Sequence, residues 1–190
     1  MSMEIDAKID FPELVQRTKR LTGFTPEHEV LLVQAAGLVT PRLPRVTEAF
    51  YEILGSIPKA QPFLEGRVDI LKQTHLRWLQ SLFTGPYDEA FARQMYMVGM
   101  AHVRVKLPVE FMQGAATLIM GELTKAMAQS SLDARSQAQI LIAINGVIGF
   151  SVAIMQESYQ ASSLAEELEK FLAITGMSRV LFNNLALAYR

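Results

Sequence analysis

The chain has no cysteine, one tryptophan and only three histidines among its 190 residues. Without thiols there are no disulfides, no thiolate metal centre, no nucleophilic cysteine and no CxxCH attachment of a cofactor. The same lack fits a reducing compartment, and the expected location is cytoplasmic. An excess of either charge is also missing. The net charge is −1 and the basic residues are scattered, so no nucleic-acid footprint is expected. The first twenty residues, MSMEIDAKIDFPELVQRTKR, carry acids and no apolar core stretch, unlike a secretory signal. GxGxxG, P-loop, GxSxG and HExxH patterns are all missing, and no carboxylate pair stands out. The chain reads as non-enzymatic.

What remains is apolar and helical. Half the residues are hydrophobic, enough for a sizeable core. Gly and Pro fall between long segments of 3.6-residue period, and alternating strand-like runs are missing, so the expected fold class is all-α. Helices are predicted over about 11–21, 26–37, from Pro41 and Pro44 to about 55, 65–83, 89–105 and 109–129, with a further one from 136 to about 161. Thr25-Pro26 and Asp88 are predicted caps, Pro58 and Pro62 a break, and Gly176 a helix end. Ser136–Gln156 is uncharged over 21 residues. That is about the length that crosses a bilayer. Its Gln137, Gln139, Asn145 and glycines, without basic or aromatic flanks, point to a buried bundle helix and no membrane span.

His75 and His102 carry the chemistry. His75 lies in the stripe Val68, Leu71, His75, Leu79, Leu82, and His102 shares a face with Met95, Val98, Gly99 and Val105. The segments reverse at Gly85-Pro86. Either ring alone is better explained by a hydrogen-bonded core histidine than by a ligand. Two such placements ask for two buried partners, and a metal between neutral imidazoles supplies one to each, as iron in haem does. His28, between Glu27 and Glu29, reads as solvated. Tyr51 is either an edge tyrosine or a hydroxyl donor aimed at a bound gas. The ten methionines read as core filler. Arg67, Lys72, Arg77, Arg104 and Lys106 are either solvated charges or partners for haem propionates.

Phe50-Tyr51, Arg77-Trp78-Leu79, Pro86-Tyr87-Asp88 and Val98-Gly99-Met100-Ala101-His102 followed by Pro108, in this order, resemble the globin-coupled sensor and protoglobin family over about residues 10–160. The resemblance implies a globin fold of the three-over-three type, with an extra N-terminal helix, no helix D, and haem between helices E and F. It implies a segment 1–24 with the pre-A helix, a sensor globin domain 25–161, and a coupling helix or linker 162–190. It makes His102 the proximal iron ligand, its second ring nitrogen donating to a carbonyl or carboxylate, and Tyr51 the distal tyrosine of helix B. His75 falls at a distal helix-E position where relatives often carry an apolar residue, as a sixth iron ligand or a donor to the gas. Phe50, Leu71, Trp78, Val98 and Leu118 are expected to line the pocket. The cofactor expected is non-covalent haem b, iron protoporphyrin IX.

The expected function is a haem-based sensor of a diatomic gas (O2, CO or NO) acting on an output domain or partner protein. A homodimer through the last two globin helices is expected, with Ala143, Gly146, Gly149 and Ala153 permitting close packing. The rival readings are a bis-histidyl haem protein for redox sensing or electron transfer, and a haem-free helical dimerisation module.

Overall fold

A computed structural model describes residues 9–188. Among these the helices are α1 (Phe11–Thr22), α2 (Pro26–Val39), α3 (Leu43–Gly55), α4 (Gln61–Leu64), α5 (Val68–Ser81), α6 (Glu89–Arg104), α7 (Val109–Ala128), α8 (Ala134–Thr175) and α9 (Arg179–Ala188), and no strand occurs. Capping chemistry sets most of the boundaries. Asp10 accepts from the Glu13 N–H at 2.9 Å, Asp88 from Ala90 and Phe91, and Asp133 from Arg135 and Ser136. Each satisfies N–H groups that have no partner inside their helix. Gly176, at φ 67°, ends α8 in the left-handed region that a glycine adopts without strain.

α8 is the axis of the fold, and α1, α2, α6 and α7 all pack on it. Its own Phe150 ring is fully buried, stacked on Phe91 at 5.7 Å and on Phe24 at 5.5 Å. Tyr87 meets Phe24 edge-on at 5.1 Å and donates its hydroxyl to the Leu82 carbonyl at 2.8 Å. The Pro-Tyr-Asp turn thus fixes the corner between α5 and α6. α8 is the one described helix long and apolar enough to cross a membrane, and 56% of its most apolar window is buried by the other helices.

Several expectations change here. α8 runs unbroken through 161–162 to Thr175, because Ala, Leu, Glu and Lys in that stretch are strong helix formers and no Gly or Pro interrupts them. The Pro58–Pro62 break is a 3-10 turn (Pro58–Ala60) followed by the single helical turn α4. The small residues of α8 do not share one outward face. Ala143 and Gly146 are buried within the chain, and a Cβ on Gly146 would stand 3.2 Å from the Phe24 ring. Gly149 and Ala153 do border an open groove between α7 and α8. His28 is not simply solvated: Thr25 N–H donates to its Nδ1 at 3.3 Å, closing a capping box at the start of α2.

Candidate functional site

The apolar stripe of α3 places Leu43, Val46 and Phe50 in the core, and α5 packs across it. His75 is held at this crossing. Its ring stacks on Phe50 at 4.8 Å with 14° between planes, meets Tyr51 edge-on at 5.7 Å, and lies 5.6 Å from Trp78. Thr47, on the same face of α3, brings Oγ1 to 3.2 Å from His75 Nδ1. The other nitrogen, Nε2, is buried without a hydrogen-bond partner among the described residues. Burial pushes the His75 pKa down to about 4, so the ring is neutral at neutral pH. Burial also raises the Tyr51 hydroxyl to about 12, which keeps it a proton donor, and it makes no hydrogen bond among the described residues.

His102 stands in the last turn of α6. Burial lowers its pKa too, and Nδ1 is buried without a hydrogen-bond partner among the described residues. The expected carbonyl or carboxylate beside its second nitrogen is not found. Gly99, three residues earlier, explains where α6 sits. A Cβ there would fall 2.3 Å from Ser158 Oγ and 2.5 Å from the Met155 carbonyl oxygen, so only glycine lets α6 approach α8 this closely. Beyond the helix, Tyr159 on α8 donates its hydroxyl to the Leu107 carbonyl at 3.0 Å. His102 is therefore flanked on both sides by attachments to α8.

Trp78 links the two histidine helices, since its Nε1 donates to Met95 Sδ on α6 at 3.3 Å. Otherwise α5 packs chiefly on α3, and α6 on α8 and α1, so α5 and α6 are not a closely packed pair. Val98 and Leu118 pack half-exposed against the core, and Leu71 is half-buried one turn before His75. On α5 the stripe is sealed at Leu79 and Leu82 but open at Val68, which is 37% exposed. Lys72 pairs with Glu48 and ties α5 to α3. Arg67, Arg77, Arg104 and Lys106 form no ion pair among the described residues. Phe50, Tyr51, His75 and Trp78 are thus brought together, while Leu71, Val98 and Leu118 are placed nearby only by their helices.

Thr47 and Gly99 are the site residues whose roles the sequence hid. A threonine interrupting the run Leu43, Val46, Phe50 was the available signal for the first. Among the described residues no group of three His, Asp or Glu side chains could hold a metal ion. Two neutral imidazoles suit a metal that brings its other ligands with it, as porphyrin iron does. The orphaned His75 Nε2, the neutral His102 ring, the half-open apolar stripe and the loose α5–α6 pair all fit that group.

The neutral histidines have a measurable consequence for the haem-free protein. The folded His75 pKa, about 4, lies below the ordinary 6.5, so the fold prefers the neutral ring. Its stability contribution is intact above pH 6.5 and is lost as pH falls from there towards 4, by about 2 to 3 kcal/mol. Chemical denaturation at pH 7 and pH 4.5 should show His75→Leu losing less stability than the wild type. Equal losses would mean that the ring is not buried neutral.

The helices and their order, without a strand among the described residues, are those of a globin-type fold. The chain belongs to the protoglobin family, whose model matches residues 11–164. The globin domain of the Geobacter sulfurreducens globin-coupled sensor is similar over 76% of this chain and 96% of its own, with 29% identity and a TM-score of 0.70. The ferric form of the globin domain of E. coli DosC matches over 76% and 98%, at 20% identity and a TM-score of 0.65, a likeness of fold alone. A comparison with curated proteins gives no match. α1 is the extra N-terminal helix, α3 is helix B, α5 and α6 are helices E and F, and α7 and α8 are helices G and H.

Proposed function

We propose that the chain is a haem-based sensor of a diatomic gas, with His102 as proximal ligand and His75 as a displaceable distal group. The observation that carries this reading is the pair of largely buried, neutral imidazoles on α5 and α6, with His75 Nε2 satisfied by no protein group among the described residues. Haem b, held without covalent attachment, supplies an iron that accepts imidazole nitrogens and small gases. His102 anchors it, Phe50 and Trp78 pack beside the distal histidine, and Tyr51 offers its hydroxyl to the newcomer. His75 competes for the distal position. Were the His75-bound form ~99% populated, apparent gas affinity would fall about 100-fold, and release of His75 would let α5 move.

The signal leaves through α8. Residues 162–190 are read as the coupling segment towards an output domain or partner protein, in a cytoplasmic setting. Dimerisation through α7 and α8 is supported by a groove of about 470 Å³ between them, bordered by Ala116, Thr117, Gly149, Val152 and Ala153.

Absorption spectra of the ferric, ferrous and CO-bound protein test the reading. A red protein that binds CO rapidly once reduced is expected, whereas an electron carrier with both axial positions firmly held binds it slowly. A preparation that stays colourless after haem addition would sink the proposal. His75→Leu should keep haem and become five-coordinate when reduced. If that variant remained six-coordinate and low-spin, His75 would not be the distal ligand.

A further inference from the structure

We propose that Thr47 is a positioning residue whose hydroxyl, by holding the His75 ring at Nδ1, sets how firmly His75 competes with a gas. The inference rests on the haem reading of the site. Thr47 is 2% exposed on the buried face of α3, with Oγ1 3.2 Å from Nδ1. Other helical hydroxyls in this protein turn back onto their own helix: Thr18 to the Leu14 carbonyl, Thr74 to that of Ile70, Thr124 to that of Met120. Thr47 instead reaches across to a second helix. Valine would fill the same volume, so packing alone does not require the hydroxyl.

The ring has one freedom left. Phe50 stacked on its face and Tyr51 against it restrict tilting, but not a half-turn about the Cβ–Cγ bond. That half-turn would exchange Nδ1 with Cδ2 and displace Nε2 from its place. Carbon cannot bond the hydroxyl, so Thr47 selects the orientation seen. It also suits the chemistry. For Nε2 to offer its lone pair, the ring proton must sit on Nδ1, and Thr47 Oγ1 is the oxygen that accepts it. Groups that orient a metal-bound histidine in this way are typically worth about 10–100-fold in ligation.

Thr47→Val and Thr47→Ser in the haem-loaded protein test this. Thr47→Val should raise apparent CO affinity of the ferrous protein about tenfold and reduce the six-coordinate absorption, because His75 competes less well. Thr47→Ser should restore both. In a His75→Leu background Thr47→Val should do nothing, which a general loosening of the pocket would not obey. Wild-type behaviour of Thr47→Val, or a shift that persists without His75, would overturn the proposal. Nitrogen-15 spectra of the haem-free protein separate it from the gas-sensing reading. There Thr47→Val should move the His75 ring resonances and Thr47→Ser should return them, even if the chain took up no haem. Unmoved resonances would overturn the role of Thr47.

Discussion

His102→Ala should purify without haem, while its haem-free form stays about as stable as the wild type. The two halves of this expectation have different causes. His102 is the proposed anchor on α6, and loss of a metal ligand would cost more than the roughly 10–100-fold typical of residues that merely orient one. Haem affinity should therefore fall by more than about 100-fold. In the haem-free protein, by contrast, the side chain brings a liability with it. Its Nδ1 is buried and unpartnered, at a cost of about 1–3 kcal/mol that alanine removes. The lost packing of a half-buried ring offsets that gain, so the net change should stay within about 1 kcal/mol. Haem titration followed by absorbance, with parallel urea denaturation of the haem-free proteins, reads both. Imidazole added to the variant should enter the vacated volume and restore part of the haem binding. A variant that kept haem with an unchanged spectrum would show that His102 is not the anchor.

That division between anchor and scaffold also explains what was legible in the sequence. The caps at Thr25 and Asp88 and the stop at Gly176 act within a turn of their own helix, so local residues announce them. The two histidines stood out because imidazole on an apolar face is costly, and the motif order around them resembles a known family. Thr47 was not legible as a site residue. Its partner depends on how α3 crosses α5, and a hydroxyl can satisfy itself on its own helix, as Thr18 does. The face of α8 was misread for a similar reason. Ala143 and Gly146 look like an exposed small-residue stripe, but Phe24, from the turn before α2, comes back onto Gly146. Which side of a long apolar helix meets its own chain is settled by long-range packing. Periodicity does not contain it.

Gly99 joins the scaffold to the anchor, and Gly99→Val should lower the melting temperature by roughly 10 °C and weaken haem binding together. The added Cβ would meet Ser158 Oγ at 2.3 Å, the Met155 carbonyl oxygen at 2.5 Å and Met155 Cα at 2.9 Å. Ser158 can turn its hydroxyl away, giving up its own bond to the Met155 carbonyl. The backbone of α8 cannot yield so cheaply, because it lies mid-helix among buried Ile154 and Met155. α6 must therefore lift off α8. Overpacking of this kind costs about 3 kcal/mol when the obstacle is backbone. In a domain of this size each kcal/mol lowers the midpoint by about 2–4 °C. The displacement also reaches the site, since His102 lies one turn beyond Gly99 and Leu107 is tied to α8 through Tyr159. A shift of about 1 Å in a ligand-bearing helix is enough to loosen a site that needs its groups held within ~0.5 Å. Tyr159→Phe removes only the hydroxyl bond to Leu107, and should shift haem affinity in the same direction by a smaller factor. Calorimetry and haem titration on both variants check the linkage. Gly99→Val with a normal melting temperature would mean that α6 does not sit on α8 as described. A destabilised Gly99→Val that bound haem normally would separate the seat of the helix from the grip of His102.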